Sequence, residues 1–506
     1  MIGYQFLLEI LALNNVGVET VVRYCCAPGY TGGGVAWIPG IVDPGLYQVS
    51  LFSANRTQGA SSYSYGEIII SNQKNAADPT GPADYLTAYK FNGRPVTMYI
   101  GLADAEFPAG FTKAYTAIIE SINYDTETVS LTLRGRQAEL DSIFDGGVFS
   151  GDNILPAGLE GVATDLKDHP KPVVIGRVNN ITPVLCNTAK LIYAVSPSTG
   201  ISIAQFGSNI HVYDNGVELY CSGRAVDIEI DVPPAGQFTA SDNGYIRLGS
   251  TPTGVVTCDV AQDHYALTST PTALAKYLLT QSGHAQMIAY NSFYDLHDRN
   301  ERGLFFTTGK ISALLDQLVS PGGYYYFDRD GYVIFGTLAD PATLSPVFTA
   351  NGATNIVSFQ RRAASDTAGG VAPSKITMKY GRNYTVQANP PQATVERIAW
   401  LASEWRSLSA LNPAPQPSSA ETVIETCMNS VPTAQLDLLA DLYLVDREII
   451  EVEIIEDEFL AASALYPGAC VSLDLAGRFG YAGKHMILVG TLTNYVEERV
   501  TLTLWG

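Results

Sequence analysis

The chain has little with which to do chemistry. Its six histidines (His169, His211, His264, His284, His297 and His485) share no HExxH or comparable metal spacing. Its seven cysteines are odd in number and form no CxxC, which excludes a disulfide framework and a zinc knuckle. Most of them are expected to be small buried apolar residues in a reducing cytoplasm. The vicinal pair Cys25-Cys26 invites a redox role, but consecutive strand residues face opposite ways. There is no GxSxG and no recognisable cysteine nucleophile motif. Gly32-Gly33-Gly34 has no Lys-Ser/Thr behind it, so it reads as a mobile loop tip and not a phosphate cradle. Asp328-Arg329-Asp330-Gly331 starts like a calcium loop but lacks the glycine at position six and the distal glutamate, which leaves a hairpin turn. Asp263-His264, His297-Asp298 and Glu451/Glu453 are pairings that a chain with 50 acids produces by composition. The expectation is a protein that is not an enzyme, with no catalytic, cofactor-binding or metal residues and no cofactor.

Long apolar runs are also missing. No stretch reaches the eighteen or so residues of a membrane span. Met1–Leu13 is apolar but lacks a basic start and is interrupted by Glu9, so it reads as a strand and not as an export signal. Basic charge is scarce, with 30 Lys and Arg against 50 Asp and Glu. The net charge of −20 argues against a nucleic-acid clamp, which needs a basic footprint.

What the chain does have is 29 tyrosines and 46 glycines, the composition of strands and turns. The expected fold is mainly β with α+β insertions, and the length allows roughly three or four domains. One module is written twice. Asn123-Tyr124-Asp-Thr-Glu127-Thr-Val129-Ser-Leu131-Thr132-Leu133-Arg-Gly135 aligns without a gap on Asn494-Tyr495-Val-Glu-Glu498-Arg-Val500-Thr-Leu502-Thr503-Leu504-Trp-Gly506, and eight of the thirteen positions are identical. Lys113 and Lys484 stand at the same distance upstream, each followed by an apolar run. Alternation alone demands neither the shared Asn-Tyr nor the closing glycine, so two copies of one unit are expected.

Hydrophobic periodicity divides the chain further. Residues 1–150 read as a barrel or sandwich, with strands at Gln5–Leu13, Glu19–Tyr24, Tyr65–Ser71, Pro95–Gly101, Tyr115–Asn123 and Val129–Leu133, and a short helix at Ala83–Tyr89. Residues 151–265 are β-rich, with a tight hairpin at Asn215-Gly216. Residues 266–345 form a small α+β unit, with helices after Pro271 and over Lys310–Val319 and a hairpin at Tyr324–Phe335. Residues 346–506 return to strands, with a helical insertion at about 390–446. There, 393–409 reads as a helix with Val395, Ile398, Leu401, Trp405 and Leu408 inward, and Thr433–Val445 as another. These boundaries allow for interleaved domains.

A series of phrases carries a resemblance. Lys171-Pro-Val-Val-Ile-Gly176, Asn180-Ile-Thr-Pro183, Leu191-Ile-Tyr193, Val212-Tyr-Asp-Asn-Gly216, Ala235-Gly236-Gln-Phe-Thr and Gly244-Tyr-Ile-Arg247-Leu-Gly249 stand in this order, flanked by Gly66-Glu67-Ile-Ile-Ile-Ser-Asn72 and Val500–Gly506. Over roughly residues 60–506 this resembles the tail hub proteins of long-tailed, siphovirus-like bacteriophages, which are similar to gene transfer agent hubs and to hub proteins of contractile baseplates. The resemblance implies two tail-tube-like β-barrel domains and two middle domains in one chain. It implies a homotrimer that adapts a sixfold tail tube to a threefold tip and forms part of the DNA-ejection channel. The implied partners are the distal tail protein or tube ring, the tape measure protein and a central fibre or tail-tip protein. DNA passes without specific binding, and no stable membrane insertion is implied. The implied location is the virion tail tip or baseplate, after assembly in the host cytoplasm. The loops Ala27–Gly34 and Asn72–Pro82 are expected to lie over neighbours. The cysteine cluster of some such hubs is not carried over, because Cys427 and Cys470 lack partners in sequence. A secreted or surface glycan-binding adhesin of β-sandwich type is the alternative from another class, and a polysaccharide hydrolase is the third.

Overall fold

A computed structural model describes residues 3–27, 30–51, 61–74, 81, 83–200, 210–261, 270–288, 300–362, 371–387, 399–417, 419–455 and 459–506. The fold is mainly β. Its first sheet grows from the strand Tyr4–Asn14, whose alternate residues Phe6, Leu8, Ile10 and Ala12 turn inward and are almost wholly buried. Next to it on one side lies Glu19–Cys25, and on the other Pro95–Leu102, Phe111–Tyr124, Thr128–Arg134 and Ile68–Ser71 in that order.

The two ends of this sheet are one piece of chain. Ile38–Pro39 runs parallel to Glu19–Cys25, and Ile41–Asp43 runs antiparallel to Ile68–Ser71. Gly40 joins them, donating to Cys25 O at 2.9 Å and accepting from Ser71 N at 2.7 Å. A sheet whose first and last strands are consecutive curls into a nearly closed barrel and leaves little free edge.

The second sheet uses the same device. Its order is Phe348–Asn351, Cys470–Asp474, Ala482–Asn494, Arg499–Trp505, Ile449–Ile454, Ile356–Arg361. Phe348–Asn351 runs parallel to Cys470–Asp474, and after a turn held by Asn351 and Asn355 the chain continues as Ile356–Arg361, antiparallel to Ile449–Ile454. A loan from the amino-terminal part completes it: Leu46–Ser50 pairs with Gly490–Asn494, and Ser62–Tyr65 pairs with Leu46–Ser50. The single strand expected at Tyr65–Ser71 is therefore two strands in two sheets, broken at Gly66, where a Cβ would meet the Leu46 amide nitrogen at 2.7 Å. Both sheets feed one apolar core.

Two five-stranded sheets form the middle unit and bury Val178, Ile181, Val212, Phe238, Ile246 and Val260 between them. The hairpin at Asn215-Gly216 has the positive φ pair, 51° and 83°, that its turn requires. The α+β unit consists of helices Pro271–Gln281 and Ile311–Val319 and the hairpin Gly323–Phe327 with Val333–Thr337. Thr270 caps the first helix, its hydroxyl accepting from Ala273 N at 3.4 Å.

The insertion in the last third corrects the sequence reading. Arg406–Leu411 is a strand, pairing with Lys375–Tyr380, which also pairs with Glu421–Glu425. Trp405 and Leu408 therefore do not line a helix. Leu408-Ser-Ala410 alternates in the manner of a strand, and pairing with Lys375–Tyr380 overrides the weaker 3.6-residue pattern. Val395 and Ile398 lie outside the described residues. The helix Thr433–Tyr443 covers this three-stranded sheet through Leu436, Leu439 and Leu442.

Candidate functional site

Each repeated hairpin closes a larger repeated unit. In the first barrel the chain runs strand Ile68–Ser71, short helix Asp84–Ala88, then strands Pro95–Leu102, Phe111–Tyr124 and Thr128–Arg134. In the second it runs strand Ile449–Ile454, short helix Phe459–Ser463, then strands Cys470–Asp474, Ala482–Asn494 and Arg499–Trp505. Each long strand pairs with its predecessor over its first half and with its successor over its second. A bulge interrupts both hairpins, and it falls opposite Thr132/Leu133 in one and Thr503/Leu504 in the other, which are aligned positions.

The aligned apolar residues keep their role. Val129, Leu131 and Leu133 are buried, as are Val500, Leu502 and Leu504. The pairing itself slides by two residues: Tyr124 faces Val129, whereas Asn494 faces Arg499. A slide of two leaves every side chain on its own face, because the pleat repeats every two residues. It moves the turn chemistry, however. Asp125 accepts from the Glu127 and Thr128 amides, both within 2.8 Å, which holds its carboxyl below the usual range. In the second hairpin Asn494 accepts from Val496 and Glu497, each at 3.1 Å.

The two tyrosines of the repeat consequently part company. Tyr124 is 70% exposed and Tyr495 is 2% exposed. The Tyr495 ring enters the end of the first barrel at 5.9 Å from Phe6 and 5.8 Å from Tyr115, and its hydroxyl donates to Ala114 O at 3.4 Å. Phe459, from the short helix of the second barrel, completes the plug against Tyr4 and Tyr495. Tyr47, Tyr63 and Tyr65 extend this aromatic seam, with Tyr47 stacked on Tyr115 at 6.1 Å. Burial pushes the hydroxyls of Tyr63, Tyr65 and Tyr115 well above their ordinary range.

The opposite end of the first barrel is open among the described residues. There a cavity of about 610 Å³ is lined by Leu86, Phe91, Ile122, Tyr124 and Val129, with Asp84 and Asp125 at its rim. The duplicated lysines also differ in use. Lys113 pairs with Asp330, and beside it Thr116 donates to Arg329 O at 2.7 Å, so the turn expected at Asp328–Gly331 docks on the first barrel. Lys484 donates to Gly506 O at 3.2 Å.

The remaining candidates are ordinary. Cys25 lies under the glycine loop with Leu7 and Trp37, and burial lifts its thiol to about 11. That loop is a small ribbon, Thr31–Gly32 on Val35–Ala36, tied to its own barrel by the Tyr30 hydroxyl, which donates to Ala105 O and accepts from Phe107 N. It is thus held by apolar packing, and is not the free tip its glycines suggest. Most of the Asn72–Pro82 loop, together with His264 and His297, lies outside the described residues. Glu451 pairs with Arg362 and Glu453 with Ser358 and Arg499, an ion-pair face. Among the described residues no trio of His, Cys, Asp and Glu is placed to hold a metal ion. A polar cleft of about 690 Å³ lies between the middle unit and the insertion, lined by Arg177, Asn179, Asp259, Trp400, Arg406 and Asn429.

No protein-family model matches the chain, and no curated protein sequence does. Solved structures similar in outline include the tail protein from Neisseria meningitidis MC58, with a TM-score of 0.40 and 10% identity over 99% of this chain and 96% of that one. A 43 kDa tail protein of prophage MuSo2 from Shewanella oneidensis has a TM-score of 0.36 and 9% identity over 99% and 98%. A component of a native gene transfer agent particle has a TM-score of 0.41 and 12% identity over 66% of this chain and 84% of its own. At these values neither residue roles nor assemblies transfer.

Proposed function

We propose that the chain is a structural hub of a phage tail tip or baseplate, a homotrimer that adapts a sixfold tail tube to a threefold tip and lines part of the DNA-ejection channel. The observation that carries this reading is the duplication: two barrels in one chain, closed by the same parallel-then-antiparallel device and ending in the same bulged hairpin. A chain with two like barrels lets three copies present six similar units to a hexameric ring, while the unlike middle units and insertion keep the other face threefold. The net charge of −20 suits a channel wall from which DNA slides free. In this reading the partners are a tube ring or distal tail protein above, the tape measure protein within and a fibre or tip protein below.

Imaging of particles that carry the chain tests this directly. Three copies about the tail axis, with two barrels each in one ring, is the expected result. A different copy number or an off-axis position overturns it. The glycan-binding alternative is favoured by one feature, the polar cleft with the Trp400 ring beside Asn179, Asp259 and Asn429. Saturable binding of the purified chain to a glycan panel, abolished by Trp400→Ala, would support it.

A further inference from the structure

The first barrel has two ends, and among the described residues the second barrel fills only one. Tyr495 and Phe459 of the second barrel stopper the end marked by Tyr4 and Phe6. The other end opens on the cavity beside Tyr124, nine residues along the strand from the seam residue Tyr115, or roughly 30 Å at strand spacing. Leu86, Phe91, Ile122 and Val129 give it apolar walls, and its rim carries Asp84 and Asp125 besides the base Lys90.

The second barrel bears a feature of matching shape and charge on the end away from the seam. The turn after Cys470–Asp474 holds Phe479 at φ 56° and ψ 19°, a left-handed conformation that a bulky residue adopts only at a cost. Its ring is nonetheless 73% exposed. Phe359 braces it from the closing strand at 5.7 Å, and the Arg478 guanidinium lies 5.6 Å over its ring. A strained, braced and exposed aromatic next to a cation is arranged as an anchor for a partner.

Resting on the hub reading, we propose that the Arg478-Phe479 turn of one copy inserts into the open end of the first barrel of the next. Phe479 enters between Leu86, Phe91 and Tyr124, and Arg478 meets Asp84 and Asp125. Both patches differ from each other, so the contact is head-to-tail, and it forms a closed ring when the rotation per copy divides a full turn. The second barrel then stoppers a first barrel at both ends, once within its own chain and once in its neighbour.

The test uses the full chain and its mass in solution across a concentration series. The wild type is expected to form three-copy rings. Tyr124→Ala and Phe479→Ala each raise the dissociation constant by about tenfold or more, because exposed anchors lose their contact area. Both variants keep the wild-type melting temperature of the isolated chain, since neither side chain is buried there. Asp125→Arg weakens the ring, and adding Arg478→Asp restores it. Rings that withstand the single variants, or a double swap that restores nothing, overturn this contact and leave the hub reading standing. A wild type that is monomeric both in solution and in the particle overturns the hub reading and this contact with it.

Discussion

Set side by side, the two barrels show how one module can be used for opposite ends. In the first, the tyrosine stays paired at the strand end and exposed to solvent, and a cavity lies beside it. In the second, the strand pairing is shifted by two residues with a turn of the same length, and the aligned tyrosine is buried in the neighbouring barrel. The bulge and the three inward apolar residues do not differ. What packing requires is therefore retained in both copies, and what contact requires has diverged. The closing strands teach the same lesson. A single glycine carries the chain across in the first barrel, and an asparagine-held turn does so in the second.

The sharpest way to break this comparison is to truncate both tyrosines. Tyr495→Ala should cost about 3–5 kcal/mol, as expected for emptying a buried aromatic site, and Tyr124→Ala under about 0.5 kcal/mol in the monomer. Urea unfolding measures both, and equal costs would mean that the barrels are not differently used. The borrowed strand comes next. Val49, 2% exposed in the second sheet, should cost about 2 kcal/mol on change to alanine. Hydrogen exchange should then show earlier opening in Ala482–Asn494 than in Phe111–Tyr124.

A smaller effect separates the turn residues. Asn494→Ala removes an acceptor for two amides and should cost about 1 kcal/mol, whereas Asn494→Asp should be nearly neutral. The smallest concerns the docked turn. Lys113→Ala should cost under about 1 kcal/mol, because both partners are substantially exposed, and Lys484→Ala no more.

The same turn predicts a pH dependence. Burial raises the Asp328 carboxyl above its ordinary range. The folded state then holds this proton more tightly than the unfolded chain does. The contribution to stability is greatest below the ordinary carboxylate range and is lost as pH rises through the raised value. The wild-type urea midpoint should carry this component, and Asp328→Asn, which keeps the acceptor for the Tyr332 amide, should lack it.

Much of the fold was legible because periodicity of two is a local property. Phe6, Leu8 and Ile10, the strand pairs around Asn215-Gly216 and the stripe Leu314, Leu315, Leu318 all appear where alternation and helical spacing place them. The candidate site was legible only as a repeat. Nothing in Asn-Tyr distinguishes Tyr124 from Tyr495, since the turn that parts them depends on which register the strands adopt. The strand Arg406–Leu411 was misread because its neighbour Lys375–Tyr380 lies far away in the chain.

The amino-acid sequence on its own determined the β character, the duplicated hairpin and which residues face inward, for these follow from side-chain alternation and turn chemistry over a few residues. Only the tertiary structure decided that Leu46–Ser50 joins the carboxy-terminal sheet, that the outer strands of each sheet are joined by a short piece of chain and that one tyrosine is a plug while the other is exposed. Strand partners are chosen by hydrogen bonds between segments hundreds of residues apart, and such pairing energy leaves no mark on the local pattern of either strand.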